Sequence, residues 1–417
     1  MNSSVAVIAM FCACFSRFGL AEDWPQFRGP DGQGHSSAHH VPLEWGESRN
    51  VIWRQSIPGR GWSSPVLAQG RLYLTTAVPR EGGDGLSLRA VSLDPATGKI
   101  IWNVEVFKPS ASQVPGIHSK NTQASSTPVV EQDRIYVPFG HLGMACLDSS
   151  GQVLWRNSDL SYPPVHGNGG SPAIVDDLLL FSCDGSRDPF VVALNKFNGA
   201  VVWKVPRKTS AQKTFSFSTP LAIVVNGRKQ IISPGSGAVS AFDPRDGREI
   251  WRVRYGEGYS VVPRPVFGNG LLYIATGFDR PSVIAIRPDG GGDVTGTHVV
   301  WTLTKGAPNT PSMLLVGDEL YLVSDSGIAS CVDSRTGQVH WQERIGAGFS
   351  ASPLYADGRI YFQDETGAAT VIKPGKTFVK LAHNDLGERT LASYAVTDGA
   401  LFIRTESQLL KIGESAR

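Results

Sequence analysis

The chain has 417 residues with 46 Gly, 27 Pro and 41% hydrophobic residues. Gly and Pro at that density punctuate too often for long helices, while the apolar content is ample for a packed core. Lys and Arg total 39 against 37 Asp and Glu, a formal charge of +2 with no basic run, which argues against nucleic acid or an anionic membrane surface as the main partner.

Residues 1–21 carry an apolar run from Val5 to Phe15 followed by Gly19 and Ala21. This suits a signal peptide cleaved after Ala21 and a periplasmic or secreted protein, and the run is too short to span a bilayer. No Lys or Arg precedes it, which leaves a buried or disordered cytosolic start as the alternative, with lipidation at Cys12 or Cys14 a further one. Residues 22–49 are rich in Gly, Pro, Ser and His without periodicity and read as an extended lead-in on the surface, its His35, His39 and His40 solvated rather than metal ligands.

From residue 50 to 413 one unit recurs. AVSLDPATGKIIW at 90–102 returns as ACLDSSGQVLW at 145–155, ALNKFNGAVVW at 193–203, AFDPRDGREIW at 241–251 and SCVDSRTGQVHW at 330–341. Each copy reads as strand, tight turn and strand. The Gly supplies the positive φ that a hairpin needs, and β-branched residues lead to an indole that suits half-buried sheet. A unit repeated about every 45 to 50 residues marks a propeller or solenoid. First strands begin near Ser63, Ser126, Ser171, Ser218, Pro263, Thr310, Ala351 and Ala392, which predicts eight four-stranded antiparallel blades.

The last repeat, 391–413, shows three strands only, whereas residues 51–55, VIWRQ, form an orphan strand. Pairing the two closes the ring and removes exposed edges. Outer strands carry Trp53, Trp102, Trp155, Trp203, Trp251, Trp301 and Trp341, with Phe378 in blade seven, each positioned to cover a seam between blades. Residues 414–417 are a tail. Cys146, Cys183 and Cys331 are expected as buried thiols, not as a disulfide or a metal site.

This repeat, A-x-D-x-x-T-G-x-x-x-W in eight copies with a closing N-terminal strand, resembles the PQQ-like propellers of quinoprotein dehydrogenases. It resembles too the propeller lipoprotein of the bacterial outer-membrane β-barrel assembly machinery. The lead-in WPQFRGPDGQG with GRGWSSPV is similar to secreted PQQ-like propellers of environmental bacteria. A quinoprotein dehydrogenase would bring PQQ with calcium, adjacent cysteines against the quinone, an acidic residue and an Asn on calcium, and a catalytic Asp. The chain has no adjacent cysteine pair, so that site does not carry over residue by residue.

Topology places the long segments 105–124, 157–170, 184–190 and 206–217 on one face, where irregular loops on a rigid scaffold usually hold function. There His118, Lys120, Asn121, His166 and Asn168 could bind an anion, a sugar or a peptide carbonyl, or else hold their own loops by hydrogen bonds to the backbone. Trp62, Arg264, Asn309 and Phe349 join them across the channel. Asp184, Asp325 and Asp364 follow second strands and read as turn caps. No calcium loop, H-E-x-x-H or C-x-x-C-H motif occurs, no metal site is expected, and nothing places a Ser-His-Asp triad. The reading is a monomeric, non-catalytic scaffold for a protein or polymer ligand in the cell envelope. A PQQ-dependent oxidoreductase of alcohols or sugars is the alternative, and an unrelated lyase or hydrolase a third.

Overall fold

A computed structural model describes residues 22–414; the leader expected at 1–21 lies outside them, as do residues 415–417 of the tail. Eight antiparallel sheets follow one another along the chain, the first seven with their strands in sequence order from the axis outward. Blade one, for example, runs Val66–Ala68, Arg71–Pro79, Leu86–Leu93 and Ile100–Phe107. The eighth holds Ala395–Thr397, Ala400–Arg404 and Gln408–Gly413, and its fourth strand is Val51–Ser56, antiparallel with Arg54 opposite Leu410. The expected eight-bladed propeller closed by its N-terminal strand is therefore present. Blade four departs in one detail, a fifth strand, Gly292–Asp293, lent by blade five and parallel to Glu249–Arg254.

The repeat's residues account for the seams. Trp155 donates from Nε1 to the carbonyl of Lys196 in the next blade's turn at 3.0 Å, and Trp53, Trp102, Trp203, Trp301 and Trp341 bond the corresponding turns of their neighbours. Beneath Trp53, Trp102, Trp155, Trp203 and Trp301 lies a bare glycine of the neighbouring turn. A Cβ on Gly199 would lie 2.5 Å from Cε3 of Trp155, and its φ of +73 already excludes most other residues. Trp251 is the exception; it donates to Oε1 of Gln230 at 2.8 Å, and Nε2 of Gln230 in turn donates to the carbonyl of Pro288 in the next blade's turn at 3.0 Å. The apolar cores accordingly lie between adjacent blades. Cys146, Cys183 and Cys331 sit in them as free, buried thiols.

At the axis the blades are joined by side chains. The N–H of Ser64 donates to Oγ1 of Thr127, Thr127 to Ser171, Ser171 to Thr219, Ser312 to Ser352, Ser352 to Ser393, and Ser393 back to Ser64, all at 2.9–3.1 Å. Arg264 donates its own N–H to Ser312 but offers no hydroxyl, so the belt opens once, between blades four and five. The position lies two residues before each inner strand and is usually followed by Pro, which favours extended backbone and holds the hydroxyl in register.

The lead-in is extended as expected, but it is more than a surface appendage. It crosses the face of the short first-to-second-strand turns, pairing Trp24 with Leu67 of blade one and passing the axis at Phe27 and Arg28. It then bonds Tyr355 of blade seven through Gly34 and Ser36, and reaches Gly399 of blade eight through His39. Trp24, Arg28, Ala38, Val41 and Trp45 are buried. His35, expected in solvent, has Nε2 at 2.6 Å from the carbonyl of Leu315 and its ring edge-on to Tyr355. The side chain of His39 is open to solvent.

Candidate functional site

With one end of the channel covered by the lead-in, the other opens among the long loops as a cavity of about 440 Å³. Phe27 of the lead-in closes its lower end, the seven belt hydroxyl residues circle its wall, and Trp62, His118, Lys120, Asn121, His166 and Asn309 stand toward the mouth.

One side of the mouth is aromatic. His118 meets His166 edge-to-face at 5.5 Å, His166 meets Phe215 at 5.3 Å, Phe215 meets Tyr259 at 5.3 Å, and Tyr259 meets Phe278 at 6.4 Å. The loops of blades one to five thus form one continuous ring-on-ring arc, its first three contacts edge-to-face as the ring quadrupole favours and the last tilted. Lys213 lies 3.9 Å from the Tyr259 centroid, and the Tyr259 hydroxyl donates to Asp279 at 3.1 Å. Opposite stand Trp62, whose buried Nε1 has no partner, and Asn309, whose Oδ1 has none.

Charge at the mouth is paired. Lys120 Nζ is 2.6 Å from Oε1 of Glu365, which also accepts from the Ser350 hydroxyl. Asp325 accepts from the N–H of Asn309 at 2.7 Å and the hydroxyl of Thr310 at 2.6 Å, binding blade six to its incoming linker. Asp364 caps its turn through Thr366 and Ala368. Asp184 differs from the turn cap expected. It is fully buried against Arg207, 2.6 Å from Nε, and burial raises its carboxyl above the usual range despite that cation.

Loop-holding accounts for part of the predicted set. Asn121 donates to the carbonyl of His166 at 2.9 Å, and Nδ1 of His118 accepts from the Lys120 N–H. Asn168 lies off the cavity wall, buried, donating to the carbonyl of Phe139. Arg264 also stands off it, its guanidinium turned onto the carbonyl of Phe27 at 2.7 Å and Oε1 of Gln26. Phe349 is core, packed with Leu314 and Tyr321. The reason is common to the last two: both flank inner strands, where the chain points either to the axis or into a seam. What the sequence reading passed over was the belt, although Ser or Thr before the inner strand in seven of the eight repeats was its visible signal.

PQQ with calcium does not suit this wall. A divalent cation takes six or more oxygens, carboxylates prominent among them. The wall offers one carboxylate, Asp325, already engaged, and among the described residues no group of three His, Cys, Asp or Glu side chains could hold a metal ion. No catalytic step is derived through either group.

Residues 45–164, 87–343 and 282–407 match the PQQ_2 family model, described as outer membrane protein assembly factor BamB. The chain belongs to this family. BamB of Yersinia pestis is 24% identical over 318 residues, 75% of this chain and 66% of that protein. Quinoprotein ethanol dehydrogenase of Pseudomonas aeruginosa is 30% identical over 222 residues, 49% of this chain and 33% of the enzyme. This chain therefore spans just under two thirds of the first relative and a third of the second. The crystal structure of BamB from Moraxella catarrhalis superimposes with a TM-score of 0.60 at 13% identity, covering 88% of this chain and 98% of that one, which establishes the BamB-like propeller fold. Among the described residues no helix is long and apolar enough to cross a membrane.

Proposed function

We propose that this chain is a non-catalytic binding or assembly scaffold of the bacterial cell envelope, periplasmic or secreted after cleavage at Ala21, which holds a protein or polymer with its long-loop face. The observation that carries the reading is the asymmetry of the channel. One end is covered by the chain's own lead-in, and the other presents the aromatic arc with Trp62 and Asn309 facing it. Family membership with BamB supports an assembly role, and large aromatic side chains are the usual anchors of protein interfaces. The wall's unsuitability for calcium weighs against the quinoprotein alternative.

Photo-crosslinking tests it. A crosslinker placed at His118, Asn121 or His166 in the producing cell should give discrete adducts. One at Asp398, on the covered face, should give none, and alanine at the three loop positions should leave thermal stability within about 1 kcal/mol. Adducts from Asp398 alone, or saturable PQQ and calcium binding with dye-linked oxidation of an alcohol by the purified protein, would overturn it.

A further inference from the structure

We propose that the belt level of the axial cavity is an oxyanion site, taking a carboxylate or phosphate borne on an apolar body that rests against the aromatic arc. The inference names a ligand class for the cavity and rests on the binding reading above.

Two independent features converge on it. In the belt, every hydroxyl accepts a backbone N–H from the preceding blade, and none donates to any described residue. Acceptance spends a lone pair and leaves the hydroxyl hydrogen free. Seven such donors, all more than nine-tenths buried, therefore face one axial space, and donor hydrogens without acceptors in a buried setting are costly unless a ligand or water takes them.

Beneath the floor lie two buried guanidinium groups against one nearby carboxylate, Asp31, which acts on both through space and forms an ion pair with neither. Arg264 and Arg28 are buried, and neither lies within ion-pair distance of a carboxylate among the described residues. Nη2 of Arg28 donates to the carbonyls of Gln33 and Met313, while its Nε and Nη1, and Nε of Arg264, have no acceptor. Burial lowers both guanidinium pKa values, to about 9 for Arg28, where the neighbouring Arg264 adds to the effect, and to about 10 for Arg264. Both remain charged at neutral pH. A guanidinium one hydrogen bond behind the Phe27 carbonyl biases the cavity above it toward an anion, since charge in a low-dielectric wall is weakly screened. Buried cations held by carbonyls without a paired carboxylate are otherwise unfavourable. The unpartnered Nε1 of Trp62 is one more donor on the same wall. Phe217, Tyr259, Phe278 and Leu391 offer the apolar contact above the belt.

Calorimetric titration with phenylacetate, phenyl phosphate and the neutral isostere phenylacetamide tests this on the intact protein. Either acid should bind saturably, at least tenfold tighter than the amide, and inorganic phosphate should displace it. The tighter of the two acids identifies the group as carboxylate or phosphate. Thr127→Val with Ser352→Ala should weaken the acid at least tenfold with no change toward the amide. If that pair does not fold, the acid–amide ratio and the phosphate competition on the unaltered chain decide alone. Equal affinity for acid and amide, or no saturation by either acid up to about 10 mM, overturns the proposal. Loop-face crosslinking would survive that outcome, so the two readings fail separately.

Discussion

Lys120 and Glu365 form an ion pair of 2.6 Å that joins the loop leaving blade one to blade seven, past the whole of blade eight. The Lys120 side chain is 41% exposed, so the pair contributes little to global stability. Lys120→Ala should change the unfolding free energy by less than about 1 kcal/mol. Amide exchange across residues 108–124 should nonetheless accelerate. Unchanged exchange would mean that the loop is held by its own hydrogen bonds alone.

Trp155→Ala should cost roughly 3 to 5 kcal/mol through the cavity left at a seam, and Gly199→Ala should be destabilising through both overlap with the ring and its positive φ. Because one clash needs both partners, the double variant should lose less than the sum of the two. Urea denaturation of the four proteins measures the coupling, and strict additivity would contradict the packing described.

Acid should loosen the turns. The backbone N–H groups of Thr97 and Ala96 hold the Asp94 carboxyl below its ordinary value, and the Ser150 hydroxyl does so for Asp148. A depressed carboxylate binds fewer protons folded than unfolded, so its stabilisation is present above the unfolded value of 3.8 and is lost as pH falls below it. Asp148→Asn keeps an acceptor oxygen but cannot titrate. Its melting temperature should therefore fall less steeply than that of the unaltered protein between pH 5 and pH 3, a range set by ordinary carboxylates at about 4.

Arg264→Thr should close the belt and release the lead-in at once. The new hydroxyl can accept the N–H of Thr219, while the carbonyl of Phe27 and Oε1 of Gln26 lose their donor. Limited proteolysis should then cut within residues 26–34 faster, with the propeller core intact. Protection equal to the unaltered chain would show that Arg28 and the strand pairing of Trp24 suffice.

Much of this was legible beforehand where a residue's role repeats. Eight inner-strand starts, five copies of one turn and seven tryptophans encode blades, seams and closure locally, so period and composition reveal them. The roles that escaped are those set once. Arg264 occupies a belt position in a repeat where its seven equivalents are hydroxyls, and only the path of the lead-in gives its guanidinium a task. Asp184 sits in ordinary turn context yet pairs with Arg207 from the next long loop. Asn168 and Phe349 stand one residue's turn from the cavity, and sequence spacing does not say which way a loop residue faces.

The closing strand also fixes an order of events in the life of the chain. Residues 24–56 are synthesised before any blade exists, yet Trp24, Trp45 and Trp53 find their places only against blades one, seven and eight. The strand Val51–Ser56, made before every blade, is thus paired only after the last of them. Until Gly413 is in place Trp53 lacks the blade it pairs with, and the ring stays an open array with both edges bare.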